Sequence, residues 1–104
     1  MFTRSKDRIP EPTTPGEILR EEWLAPSGMS QSALALKMGV EVQVINGIIR
    51  GRRAVTAHTA ILLSRALGTT AEFWMNAQTA CDLWNEEQRM QKERSSRPLL
   101  RKTK

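Results

Sequence analysis

Apolar residues recur along this chain at spacings of three and four in five separate runs, the pattern of helices that bury one face. The first run is Ile18, Leu19 and Trp23, the second Leu34, Ala35 and Met38, and the third Val42, Ile45, Ile48 and Ile49. A fourth holds Ala60, Ile61, Leu63, Ala66 and Leu67, and a fifth, the longest, holds Phe73, Trp74, Ala77, Ala80, Cys81, Trp84 and Met90. The punctuation agrees with the periodicity. Thr14-Pro15-Gly16-Glu17 has a capping hydroxyl, a proline suited to the first helical position and the glutamate of a capping box; Pro26 with Gly28 stops that helix. Ser30 and Thr56 are further caps, and Gly39 and Gly68 are further stops. The last helix is predicted from Thr69 or Thr70 to about Gln91, roughly 30 Å long and longer than so small a core needs.

The second and third runs lie close together, with only the Gly39-Val40-Glu41 turn between them. A helix, a glycine turn and a second helix crossing steeply need a small residue at the closest approach, which Ala35 supplies, and apolar anchors inside the angle. Leu34, Met38, Val40, Ile45 and Ile48 fill those positions, with Ile49 also turned inward. Glu41, Gln43, Asn46, Gly47 and Arg50 are left on the outer arc, the arc that in a helix-turn-helix enters the DNA major groove. Val40, Val42 and Val44 alternate with polar residues and by themselves also suit a strand. The chain offers no second strand to pair with one, and an isolated strand leaves its backbone groups unsatisfied.

Charge sharpens this picture only when it is located. The chain of 104 residues carries a formal net charge of +5. Residues 92–104 hold six cations against Glu93, so residues 1–91 are neutral overall. The local basic feature is Arg50, Arg52 and Arg53, placed where a recognition helix ends and phosphates come within reach. The sequence therefore divides into a flexible arm over 1–13, a helix-turn-helix domain over 14–91 and a basic, unstructured tail over 92–104. Phosphate attraction, docking through Leu99 and Leu100, and solubility are three uses open to such a tail.

Catalytic chemistry finds no support in this pattern. Cys81 is the single cysteine and His58 the single histidine, so neither an internal disulfide nor a metal site is expected, and no cofactor. Paired carboxylates and phosphate-binding glycine loops are missing from the helical region, so the chain is not expected to be an enzyme. No run is long enough for a membrane span, and a cytoplasmic location is expected. Trp74, Cys81 and Trp84 are the residues expected at a dimer or partner interface, Trp84 above all because it lies near the far end of the last helix. Phe73 is expected in the core.

The motifs resemble a known family, the HigA antitoxins, also described as plasmid-maintenance antidotes or virulence-associated protein I. The matching segments are Pro15 to Leu19, Ser30-Gln31 through Leu34-Ala35, Gly51 to Ala57 with Thr59-Ala60, and Leu67 to Asn76 with Gln78 and Asp82-Leu83. The Glu72-Phe73-Trp74 start of the fifth helix is the most specific of these. The resemblance implies an all-α, five-helix lambda-repressor-like DNA-binding domain with a long C-terminal helix. It implies a homodimer that binds a palindromic operator, represses its own operon and neutralises a HigB-like messenger-RNA endonuclease toxin of the RelE superfamily. Carried over by position, Gln31 meets phosphate, Val42, Gln43 and Asn46 meet base edges, and Arg50, Arg52 and Arg53 meet phosphate. Two positions depart from the family pattern: Gly47 interrupts the recognition helix at a cost of about 1 kcal/mol relative to alanine, and Ala71 stands where a proline is usual. A helix-turn-helix regulator without a toxin, and an antitoxin whose main task is holding the toxin, are the alternatives.

Overall fold

The computed structural model describes residues 10–96, and every regular element among them is helical. The expectations for the start of the arm and the end of the tail lie outside the described residues. The first helix, α1, covers residues 15–27 as three joined segments, Pro15–Ile18, Leu19–Leu24 and Ala25–Ser27. Its capping box forms as the sequence predicts: the Glu17 N–H donates to Thr14 Oγ1 and the Thr14 N–H to Glu17 Oε1, both at 3.0 Å. The middle segment is π-helical, with the Ala25 N–H bonded to the carbonyl of Arg20. Pro26 explains the widening, since it has no N–H to give and its ring crowds the carbonyl four residues earlier. Gly28, at φ 71°, closes the helix.

Helices α2 (Gln31–Met38) and α3 (Val42–Ile49) form the helix-turn-helix. Ser30 caps α2 by accepting from the Ala33 N–H at 3.0 Å, and Gly39 turns the chain at φ 72°. The Val40 N–H returns to the Ala35 carbonyl at 3.0 Å, which fixes the angle at which α3 departs. Helix α4 (Ala57–Leu67) begins at the Thr56 cap and ends at Gly68, and α5 (Ala71–Ser96) follows after two threonines. Helix α5 continues five residues beyond the predicted end at Gln91. Arg89 pairs with Glu86 one turn back and with Glu93 one turn ahead, and such pairs at helical spacing favour continuation.

Trp74, Leu19, Leu34, Ile45 and Leu63 form the fully enclosed centre. Trp74 is the largest of them. Its ring packs on Trp23 at 5.5 Å and edge-on against Phe73 at 5.0 Å, and its indole N–H donates to Thr69 Oγ1 at 2.7 Å. The polar handle of this tryptophan is thus satisfied inside the core. Two apolar expectations are corrected at the rim. Phe73 is 38% exposed and Ile61 42% exposed, because α5 and α4 present Trp74 and Leu63 squarely to the centre and leave their neighbours at the edge.

Candidate nucleic-acid interface

Helix α3 has two unlike sides. Ile45 and Ile48 are closed into the core, while Gln43 and Arg50 are exposed and Val42 is 38% exposed. Helix α1 holds α3 from behind at Gly16. A Cβ at Gly16 would lie 2.2 Å from the Ile48 carbonyl oxygen and 2.8 Å from Ile49 Cα, so the two backbones touch there. The sequence pointed to Ala35 as the small residue within the turn, and Ala35 is indeed buried; the closer approach, at Gly16, has no local signature.

Asn46 and Gln31 were expected to meet a base and a phosphate respectively, and the structure brings them together. The Asn46 Nδ2 donates to Gln31 Oε1 at 3.2 Å, with both residues half-buried. One amide proton and the Oδ1 of Asn46 remain available, as does the Gln31 amide nitrogen. The pair holds both side chains at the mouth of the angle between α2 and α3.

The three arginines follow as α3 ends. Gly51 takes φ 76° and its N–H returns to Ile48, after which the N–H groups of Arg52 and Arg53 both donate to the Gly47 carbonyl, at 2.8 and 3.0 Å. Arg50, Arg52 and Arg53 are all exposed, gathered beside the carbonyl end of the helix, where positive charge is favoured. The loop behind them is latched to α5. Gln78 Oε1 accepts from the Val55 N–H at 2.8 Å, and its amide nitrogen donates to Asp82 at 2.9 Å. Nothing in the sequence marks Gln78, because a glutamine on a helix face has no signature until its partner 23 residues away is known.

The expected interface set on α5 is corrected in part. Trp74 is 0% exposed within its own core and offers no surface to a partner. Cys81 is also buried, its thiol 3.8 Å from the Thr13 carbonyl. Burial first, and then the nearby Asp82, Glu17 and Glu11, push that thiol's pKa up, which makes it a poor nucleophile. Trp84 is half-buried, and Leu83 and Met90 beside it on the distal half of α5 are 66% and 50% exposed. His58 is exposed at the start of α4. Among the described residues no three His, Cys, Asp or Glu side chains gather as metal ligands, and no helix is long and apolar enough to cross a membrane.

A helical pair with this geometry, polar outside and arginine-flanked, defines a helix-turn-helix protein. Residues 21–74 match the helix-turn-helix family. Virulence-associated protein I of Dichelobacter nodosus is 51% identical over 74 residues, spanning 71% of this chain and 68% of the relative. Antitoxin HigA-1 of Vibrio cholerae is 45% identical over 82 residues, spanning 79% of this chain and 77% of the relative. Among solved structures, the Pseudomonas aeruginosa antitoxin HigA with the higBA promoter superposes with a TM-score of 0.76 at 37% identity, covering 83% of this chain and 94% of that one. The chain belongs to the helix-turn-helix family, in the branch of the HigA antitoxins.

Proposed function

We propose that this chain is the antitoxin and autorepressor of a two-gene toxin–antitoxin operon, acting as a cytoplasmic homodimer on a palindromic operator. The observation that carries the reading is the division of α3, with Ile45 and Ile48 sealed inward, Val42 and Gln43 exposed and Asn46 half-buried at the edge, beside a row of arginines. An amide on that arc pairs bidentately with adenine in the major groove, and Val42 offers methyl groups to thymine. Asn46 keeps a donor and an acceptor for a base while Gln31 steadies it, and the Gln31 nitrogen is left for a phosphate. Arg50 and Arg52 set the register on the backbone. That a relative from Pseudomonas aeruginosa is solved with promoter DNA supports the DNA-binding reading.

In the dimer, two copies of α3 enter successive major grooves about 34–36 Å apart. The distal half of α5, with Trp84, Leu83 and Met90, supplies the apolar surface for the second copy. The toxin partner is a HigB-like nuclease of the RelE superfamily. A partner that handles RNA needs a basic surface, and Glu87 on α5, exposed beside the Glu86–Arg89 pair, is an acidic group suited to it. Gel-shift titration of the DNA upstream of the operon, with an unrelated duplex as competitor, tests the repressor role. Co-expression with the neighbouring reading frame and purification through a tag on this chain tests the antitoxin role. A small basic protein retained on the column supports it; specific DNA binding without such a protein leaves a stand-alone regulator.

A further inference from the structure

Gly47 lies mid-way along α3 on the outer side, one turn after Gln43, where the two positions share one row of the helix surface. Its backbone does not call for glycine, because the positive-φ glycines are 28, 39, 51 and 68. Alanine would serve a half-buried helical position better. The neighbour that calls for glycine is Arg53. A Cβ built on Gly47 would stand 3.1 Å from Arg53 Cβ, 3.4 Å from its Nε and 3.7 Å from its Cδ. The Arg53 and Arg52 N–H groups are bonded to the carbonyl of this same glycine. The loop after α3 is therefore fastened to Gly47, and the Arg53 side chain runs along the bare flank that the missing methyl leaves.

We infer that Gly47 is a saddle that lays Arg53 along the base-reading side of α3, making Arg53 a reader of guanine and a determinant of operator sequence. This rests on the repressor reading above and divides the three arginines by role. Arg50 and Arg52 hold phosphates. Arg53, guided along the helix next to Gln43, reaches the groove floor, where a guanidinium donates to both O6 and N7 of guanine. A side chain already laid along the helix gives up fewer rotamers on binding than a free one. The operator half-site then carries a G·C pair next to the pair read by Gln43.

The test is selection from a randomised duplex library, followed by titration of the preferred duplex and its single-base variants with the whole chain. Arg53→Lys keeps the charge and loses the fork, so it retains the salt dependence and loses about 5- to 150-fold of discrimination at one G·C pair per half-site. Gly47→Ala pushes Arg53 off the helix flank by a few tenths of an ångström and lowers the same discrimination while melting no lower than the wild type. Adding Gly47→Ala to Arg53→Ala changes base preference no further. If Arg53→Ala weakens every duplex alike, or if Gly47→Ala keeps the full preference at that pair, the inference is overturned while the repressor reading stands. A wild-type chain with no preferred duplex overturns both.

Discussion

Replacing Gly16 with alanine should do more damage than any other single methyl group added to this chain. The new Cβ would begin 2.2 Å from the Ile48 oxygen and 2.8 Å from both Ile49 Cα and the Ile49 oxygen. An ordinary C···O contact is about 3.3–3.6 Å, so the helices must separate by more than about 1 Å. All three obstructing atoms belong to the backbone of the last turn of α3, and none can swing aside as a side chain would. Overpacking of this kind costs typically about 1–3 kcal/mol and sometimes more. Alanine's better helix propensity returns at most about 1 kcal/mol, and less than that near a helix end. A net loss of about 2 kcal/mol corresponds to a fall of roughly 8–16 °C in Tm for a domain of this size. Circular dichroism on heating measures it, with Gly47→Ala as a control whose obstruction is the Arg53 side chain alone. Since Gly16 presses on the helix that carries Gln43 and Asn46, DNA affinity measured well below the transition should fall as well. A Gly16→Ala chain with wild-type Tm and wild-type DNA affinity would show that α1 does not set the position of α3.

Further outcomes follow from the same geometry. Gln43→Ala should cost about 1–3 kcal/mol at one base position, and Arg52→Ala should weaken all duplexes alike and lower the salt slope by about one unit, both read from anisotropy titrations across salt. Gln78→Leu strands the Val55 N–H and should lower stability by about 1–3 kcal/mol in urea unfolding, with Gln78→Glu, which keeps the acceptor but sets a carboxylate against Asp82, falling between Leu and wild type. Leu83→Glu together with Met90→Glu should shift the chain toward monomer in sedimentation and reduce operator affinity, while the Tm of the isolated domain changes little. Cys81 should react with an alkylating reagent far more slowly folded than in urea. Its pKa is raised in the folded chain, so the folded state keeps the thiol proton longer; that contribution is complete below the ordinary thiol range and is lost as the pH climbs through it and beyond. A Cys81→Ala chain should lack this alkaline decline.

The helix-turn-helix was readable because its determinants are local. Ser30, Gly39 and the spacing of Ile45 and Ile48 lie within one stretch, and each acts through neighbours no more than a turn away. The capping box at Thr14 and Glu17 was readable for the same reason. What escaped depends on partners distant in sequence. Gly16 is glycine because of Ile48 and Ile49, Gln78 matters because of Val55, and Gly47 reads as a defect until Arg53 lies against it. The broad apolar side of α5 points Trp74 to an interface. Periodicity gives the side of a helix that is buried, yet it does not tell which turns lie under the core and which extend past it. The first turns of α5 are the covered ones, so Trp74 went inward and the surplus apolar area fell at Leu83 and Met90. The candidate DNA-reading residues were legible as an arc. The pairing of Asn46 with Gln31 across that arc was not, since it requires the crossing of two helices to be known.

If the outer face of α3 reads DNA sequence as one half of a symmetric pair, the bound DNA is protected symmetrically. Footprinting of the DNA upstream of the operon with the purified chain tests it most directly. Two protected half-sites related by a two-fold axis are expected, with centres one helical turn or a multiple of it apart, and both footprints should be lost together in Gln43→Ala with Asn46→Ala. Protection that is uniform along the duplex, or that survives the loss of both amides, would contradict it.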